Sequence, residues 1–402
     1  VGIYRDLAKH PGVLRILFAQ LTARMPFGMI SIVILLHIQQ LHGNFAAAGL
    51  VLAAASLGEA IAGPLTSRWM GIWGMRRVLI PTSVICASGL IILGTVFMPL
   101  ALTMLVAFVM GISAPPVSPA VRTIYPKIVP GKQLVALYSL DASAQEIIWV
   151  FGPVIAVLIS TQISTTAGMF VLVGFLLIGG FWFVMSPEVG RVHLPRSRKR
   201  MGAILGRPTV LLSSLIGLIF VASFGAVEVG VVAAFDKTSL ESGVVLAIFS
   251  VGSIIGGLLI GRRPVTAWSL TVRLAIVTIG TALTVFNQGA FWLSVSLFIA
   301  GIGVAPALAV LYTMISATVK FSETAEAFGW LSTGTLVGVS LGAAAAGFAV
   351  DAFGSVGGLV VSLIAVFLST VLAGLTHRHI PNLASGDASP IPETEPIRVT
   401  NR

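Results

Sequence analysis

Along the chain, stretches of roughly 20 predominantly apolar residues alternate with short breaks rich in charge, Gly, Pro or Asn, which is the length and punctuation of membrane-crossing helices. Twelve such stretches run near 13–38, 45–70, 78–98, 100–121, 138–160, 166–185, 209–235, 242–261, 270–287, 291–315, 326–350 and 356–376. The pattern predicts an all-α polytopic membrane protein. Residues 1–12 hold Arg5, Lys9 and one turn of amphipathic helix, and the apolar stretch that follows outlasts a signal-peptide core. The longest connection, 186–208, carries Arg196, Arg198, Lys199 and Arg200, whereas connections on the opposite side are very short. After Arg378 the chain is polar, proline-bearing and aperiodic, and a disordered tail is expected there.

The apolar pattern repeats. Ser56, Gly58, Ile61, Gly63, Leu65 and Arg68 return 194 residues later as Ser250, Gly252, Ile255, Gly257, Leu259 and Arg262. Gly111-Ile112 and Pro116 similarly match Gly301-Ile302 and Pro306, and Phe27-Gly28 matches Phe224-Gly225. Internal repetition of this kind predicts two halves built alike, with small residues allowing close helix approach. The expected organisation is an N-terminal segment (1–12), a first six-helix half (13–185), a basic linker (186–208), a second six-helix half (209–377) and a tail (378–402). Pro115, Pro116 and Pro119 are expected to break the fourth span.

Composition excludes a soluble globule: 56% of residues are hydrophobic and 9% charged, with a mean hydropathy of +1.02, too little polar surface to cover a water-soluble core. The net charge of +10 takes its meaning from placement. All but two of the 24 lysines and arginines fall on the side of the N-terminus; Lys237 lies opposite and Arg24 lies within the membrane. By the positive-inside rule this predicts a multi-pass cell-membrane protein with both termini cytoplasmic. The linker cluster reads as an orientation anchor or an anionic-lipid contact. No interleaved aromatic and basic surface suggests a nucleic-acid partner. The single cysteine, Cys86, sits in an apolar run and forms no intrachain disulfide.

Two six-span halves, a basic central linker and a glycine-rich loop after the second span together resemble the major facilitator superfamily, over residues 13–377. The family's loop signature, Gly-x-Leu-x-Asp-Arg-x-Gly-Arg-Arg, falls on Ser67, Trp69, Gly71, Ile72 and Gly74, with its closing arginine pair one residue further on as Arg76 and Arg77. Gly74, Arg76 and Arg77 keep it; Gly71 replaces the acid that latches this loop to span 11. The resemblance therefore implies a cytoplasmic gate formed by Arg68, Gly74, Arg76, Arg77 and Glu326, with Glu326 pairing to Arg68 or Arg76. An ordinary solvated acid at a helix start is the alternative for Glu326.

Ionisable residues inside apolar spans are costly and few: Arg24, Glu59, Glu146 and Glu228. At about 1.5 Å per residue, Arg24, Glu59 and Glu146 lie roughly 14–16 Å deep. Their spans belong to one half in the family, so Arg24 facing both carboxylates is expected. One acid would neutralise Arg24 and the other exchange a proton; a static ion cluster that orients helices is the competing account. Glu146, six residues before Gly152-Pro153, is the preferred proton carrier, since that pair is similar to the core of the span-5 signature of bacterial drug/proton antiporters. The arginine those proteins carry in span 4 is replaced by Ala107, and Arg24 is expected to serve instead. Asp141, read as one turn into span 5, is assigned a structural role near the inner surface, reaching Arg122 or the loop arginines.

In the family, spans 1, 4, 7 and 10 line the cavity. Glu228, Arg24, Phe27 and Phe224 are the expected substrate contacts there, with Glu228 as a helix–helix hydrogen-bonding acid in the alternative. Aromatic groups outnumber amides and histidines on these spans, which suits a hydrophobic or amphipathic substrate. No metal cluster, cofactor motif or enzymatic constellation is present in the residues. The expected protein is a monomeric secondary transporter, embedded in the bilayer, coupling protons to export of a small amphipathic molecule. Carriage of a small organic acid by uniport or symport, and a non-transporting membrane sensor or scaffold, are the alternatives.

Overall fold

The computed structural model describes residues 2–43, 45–192, 194–195, 200–235, 241–261, 263–383 and 387–392. His193, Arg196, Arg198, Lys199, Lys237 and Arg262 lie outside these residues. Fifteen α-helices follow one another among the described residues: α1 Gly2–Lys9, α2 Val13–His42, α3 Phe45–Trp73, α4 Met75–Thr95, α5 Leu100–Ile112, α6 Val117–Ile128, α7 Gly131–Gln162, α8 Thr165–Met185, α9 Pro187–Arg191, α10 Pro208–Ala234, α11 Glu241–Ile260, α12 Ser269–Thr284, α13 Ala290–Thr318, α14 Thr324–Phe353 and α15 Ser355–Leu375. Eleven spans are long and apolar enough to cross a membrane, α5 and α6 together making one of them, and α12, with 16 residues, is the shorter twelfth. Helices suit such sequences because a lipid-exposed backbone must satisfy its own hydrogen bonds.

Three departures from the expected spans have local causes. The fourth span is interrupted at Ser113–Pro116, where Pro115 and Pro116 supply no N–H to the ladder, and it resumes as α6 to Ile128, seven residues past the expected end. The fifth begins at Gly131, directly after Pro130, rather than at 138; Lys132 and Gln133 are polar but helical, and they end the apolar run without ending the helix. The ninth stops early because Gln288 Nε2 turns back onto the carbonyls of Thr284 (3.3 Å) and Val285 (3.2 Å).

The sequence repeat is a repeat of contacts. Gly58 of α3 abuts the backbone of Phe108 on α5, and Gly111 of α5 abuts Ala55 on α3; in the second half Gly252 of α11 meets Phe298 of α13, and Gly301 meets Phe249. Gly28 of α2 lies against Ile148 of α7, as Gly225 of α10 lies against Val339 of α14. At each of these places a Cβ would strike main-chain atoms of the neighbour, so glycine sets the helix spacing. Two pseudo-symmetric six-helix halves result, α2–α8 and α10–α15.

With an even number of spans, both chain ends fall on one face, termed here the terminus side. The halves meet there. Gly63 of α3 packs on Gly329 and Thr333 of α14, and Thr333 Oγ1 donates to the Ala60 carbonyl at 3.0 Å. Across the other seam, Ser139 of α7 donates to the Gly257 carbonyl of α11 at 2.8 Å, and Tyr4 of α1 donates to the same oxygen at 2.8 Å. Towards the far side, Ser31 of α2 and Glu228 of α10 are exposed.

The expected disorder of the tail does not extend to its described part. Leu383 N–H donates to Val265 O (2.8 Å), Ala388 N–H to Gly131 O (3.2 Å), Ser316 Oγ to Ala388 O (2.9 Å) and Ile391 N–H to Val319 O (3.0 Å). Ala388 is fully buried. These bonds tie the tail to α7 of the first half and α13 of the second. Asp387 caps the turn by accepting from Ser389 N–H at 3.0 Å, and that bond with the Ser389 hydroxyl holds its carboxyl below the ordinary aspartate range. The apolar periodicity that normally marks a docked segment is absent because main-chain groups make the attachment.

Candidate functional site

Asp141, not Glu59 or Glu146, is the partner of Arg24. Because α7 starts seven residues earlier than expected, Asp141 lies in its third turn and is fully buried, not near the surface. Its Oδ1 accepts from Gln20 Nε2 at 3.2 Å, from Tyr125 OH at 3.1 Å and from Arg24 Nη1 at 3.4 Å, while Oδ2 accepts from Arg122 Nε at 3.2 Å. Four donors on α2 and α6 thus converge on one carboxylate. Arg24 Nη1 also donates to Gln20 Oε1 at 2.7 Å, and Arg122 Nη2 donates to Gln145 Oε1 at 3.3 Å. The Arg122 guanidinium lies 3.7 Å from the ring centroid of Tyr312 on α13, an attraction of cation and π-face that carries the cluster into the second half. Arg24, Arg122 and Asp141 are at most 3% exposed. Two guanidiniums against one carboxylate leave one positive charge in excess.

Gln20, Tyr125 and Gln145 are the members that the sequence reading does not single out. Gln20 stands one helical turn before Arg24 inside an apolar run, and that spacing was the available signal. Tyr125 was hidden by the break in the fourth span.

Glu146 lies five residues beyond Asp141 on α7 and faces the other half. Its Oε2 accepts from Ser250 Oγ at 3.0 Å and its Oε1 from Ser253 Oγ at 2.8 Å, both on α11. Both carboxylate oxygens are therefore engaged across the seam. Glu59 of α3 is only part-buried; it lies within electrostatic range of Cys86 on α4 and forms no hydrogen bond or ion pair with the described residues. The expected three-way cluster of Arg24, Glu59 and Glu146 does not form, because the rotation of each helix sends the three side chains to different neighbours.

On α2, Gln20, Arg24, Phe27 and Ser31 recur at helical-turn spacing and form one stripe, running from the buried cluster to the exposed far side. The matching stripe on α10 is Gly217, Val221, Phe224 and Glu228. Phe224 packs edge-on against Phe220 (4.9 Å) and Phe249 of α11 (5.9 Å), and Glu228 stands exposed one turn further out. Arginine is thus deep in one half and glutamate shallow in the other.

On the terminus side, Arg68 Nη1 donates to Glu326 Oε2 at 2.9 Å, joining α3 to α14. Glu326 Oε1 accepts from Gly202 N–H of the linker at 2.8 Å, so Glu326 is not simply solvated. The other expected gate residues stay within the first half. Arg76 turns to the carbonyls of Val184 (2.9 Å) and Ser186 (3.3 Å), Arg77 is exposed, and Gly74, with φ 90°, supplies the turn between α3 and α4.

The comparisons with known proteins agree with this architecture. A bacterial homologue of the iron transporter ferroportin, in an outward-facing state, superposes with a TM-score of 0.72 at 14% identity, covering 91% of this chain and 99% of the other. The human organic anion transporter MFSD10 (TETRAN) gives 0.68 at 13% identity over 90% and 98%, and an E. coli fucose:proton symporter gives 0.67 at 14% identity over 91% and 98%. At such identities the likeness is one of fold. No curated protein sequence matches the chain. Residues 16–263, more than half of the sequence, match the family model described as Major Facilitator Superfamily, and with two repeated six-helix halves around a seam the chain is a multi-pass membrane transporter that belongs to that superfamily.

Proposed function

We propose that the protein couples proton movement to the passage of an amphipathic small molecule by alternating access, as a monomer in the cell membrane with its terminus side in the cytoplasm. The observation that carries this reading is Glu146, a carboxylate of one half held by two hydroxyls of the other. Ionised, it accepts from Ser250 and Ser253 together and fastens α7 to α11. Protonated, it donates to one hydroxyl and accepts from the other, two neutral bonds replace two charge-assisted ones, and the weaker seam lets the terminus side open. Tyr312 of α13 lies within electrostatic range of Glu146, as it does of Arg24, Arg122 and Asp141, so these four charges bear on the same equilibrium.

The gate in this cycle is Arg68 with Glu326, which must part whenever the terminus side opens. Phe27, Phe224 and Glu228 border the far-side entrance and are assigned substrate contact. Glu59, without a polar partner among the described residues, is assigned a secondary place in proton transfer. Protons entering from the far side and leaving to the cytoplasm drive efflux when substrate moves the opposite way, and uptake when it moves the same way.

The reading is tested by following accumulation of fluorescent amphiphiles, both anionic and cationic, in cells expressing wild type, Glu146→Gln or no carrier. Wild type alone is expected to change accumulation of at least one compound, and a protonophore is expected to abolish that change. Equal accumulation in all three at matched expression would reject proton-coupled transport of amphiphiles.

A further inference from the structure

The buried cluster has an unused grip. Arg24 spends Nη1 on Gln20 and Asp141, and its Nε and Nη2 have no hydrogen-bond partner among the described residues, although the side chain is only 3% exposed. That Nε–Nη2 edge is the one a guanidinium offers to a carboxylate as two parallel hydrogen bonds. Neither nitrogen is among the fully enclosed unpartnered atoms, so a molecule between the halves can reach the edge, and a nearly buried charge without full compensation is costly.

Charge counting gives the same answer. The cluster at the seam holds Arg24 on α2, Arg122 on α6, Asp141 and Glu146 on α7, with Tyr125 on α6, Tyr138 on α7 and Tyr312 on α13 as the titratable phenols facing them; buried Arg273 on α12 is spent apart from it on the carbonyls of Pro306 and Arg263, and part-buried Glu59 on α3 lies near Cys86. Asp141 accepts from four donors and, as a carboxylate, offsets one of the two guanidiniums. With Glu146 ionised the charges balance; with Glu146 protonated the interior carries one positive charge and the free Arg24 edge together.

We infer that the transported molecule is a monocarboxylate with an apolar body, held through its carboxylate by the Nε–Nη2 edge of Arg24. This rests on the coupling role of Glu146 proposed above and specifies the substrate class of that site. Phe27, next along the α2 stripe, and Phe224, its counterpart on α10, supply apolar surface above the carboxylate. Glu228 stands on α10 at the level of Ser31, roughly 10 Å further out at 1.5 Å per residue, and repels a second carboxylate at the far end of the molecule. Because the anion replaces the charge that Glu146 gives up, anion and proton bind together, and the cycle carries them in the same direction.

The test uses the purified full chain and straight-chain and phenyl-substituted monocarboxylates of four to ten carbons, each beside its neutral amide and its amine. Thermal unfolding is followed at about pH 6 and about pH 8, both above the ordinary carboxylate range, so that the added carboxylates stay ionised and the lower value is the low-pH arm. At least one carboxylate is expected to raise the unfolding midpoint, more so at low pH, with its amide and amine inert. Arg24→Lys keeps the charge beside Asp141 but lacks the two-donor edge, and should weaken that carboxylate about tenfold or more, as expected for a lost charge-assisted hydrogen bond. Glu146→Gln should keep carboxylate binding and remove its pH dependence. Amides that stabilise as well as carboxylates, or no carboxylate effect, would overturn the inference on wild type alone, whether or not Arg24→Lys folds. Carboxylate binding unchanged in Arg24→Lys would move the site elsewhere. Carboxylate binding that keeps its pH dependence in Glu146→Gln would leave the anion site standing and remove Glu146 as the coupling group.

Discussion

At the scale of single residues, the interior is organised by one carboxylate that serves two arginines. Asp141→Asn keeps the shape of the side chain but leaves Arg24 and Arg122 buried without a counter-charge. Breaking a buried pair in this way costs about 3–5 kcal/mol, so Asp141→Asn should lower the thermal unfolding midpoint sharply. Glu146→Gln, whose amide still reaches Ser250 and Ser253, should change it little. Comparable stabilities for the two variants would mean that Asp141 is not the hub. Arg24 and Glu146 were legible in the sequence because a charge inside an apolar run stands out at any register. Their partners were not, since which side chain Arg24 meets depends on helix rotation and on where α7 begins. A seven-residue error in that start, caused by Lys132 and Gln133, moved Asp141 in the sequence reading from the centre of the cluster to the membrane surface.

At the scale of elements, glycine pairs fix helix spacing and the tail fixes the terminus-side ends. The repeat was legible because glycine at a helix crossing tolerates no substitute: Gly58 with Gly111, and Gly252 with Gly301, mark the same crossing twice. The docked tail was illegible, because a buried alanine and a few main-chain hydrogen bonds leave no pattern in the sequence. Since it joins α7 to α13, the tail favours closure of the terminus side. Truncation after His379, or Ala388→Arg, should increase labelling of a cysteine placed at Ser139, in a Cys86→Ala background. Asp387 adds a check on pH. Its carboxyl is held below the ordinary aspartate value, so its contribution is complete above that value and is lost only as the pH falls through the lower folded one. In a Glu146→Gln background, tail-dependent labelling should therefore stay constant between about pH 5 and about pH 8, a window above the ordinary aspartate value of about 3.9. A change within that window would show that other groups hold the tail.

At the scale of the whole molecule, the named contacts between halves run from the terminus side, at Arg68–Glu326 and Ser139–Gly257, to the middle of the helices, at Ala60–Thr333 and Glu146–Ser250, while Ser31 and Glu228, nearer the far side, are exposed. These contacts hold the two halves together on the terminus side, and transport by alternating access requires a second form in which they part. Twelve spans in two halves could be read from hydropathy and repetition; which face was closed could not, because both forms of such a carrier share one sequence. The most direct test of the account is a spin-label distance between Gln162, at the far-side end of α7, and Glu241, at the far-side end of α11, in a Cys86→Ala background across the pH range. The account predicts two distances whose proportions change with pH in the wild-type sequence and cease to change in Glu146→Gln. A pH response that survives Glu146→Gln, or one fixed distance at every pH, would contradict the claim that this carboxylate governs the exchange between forms.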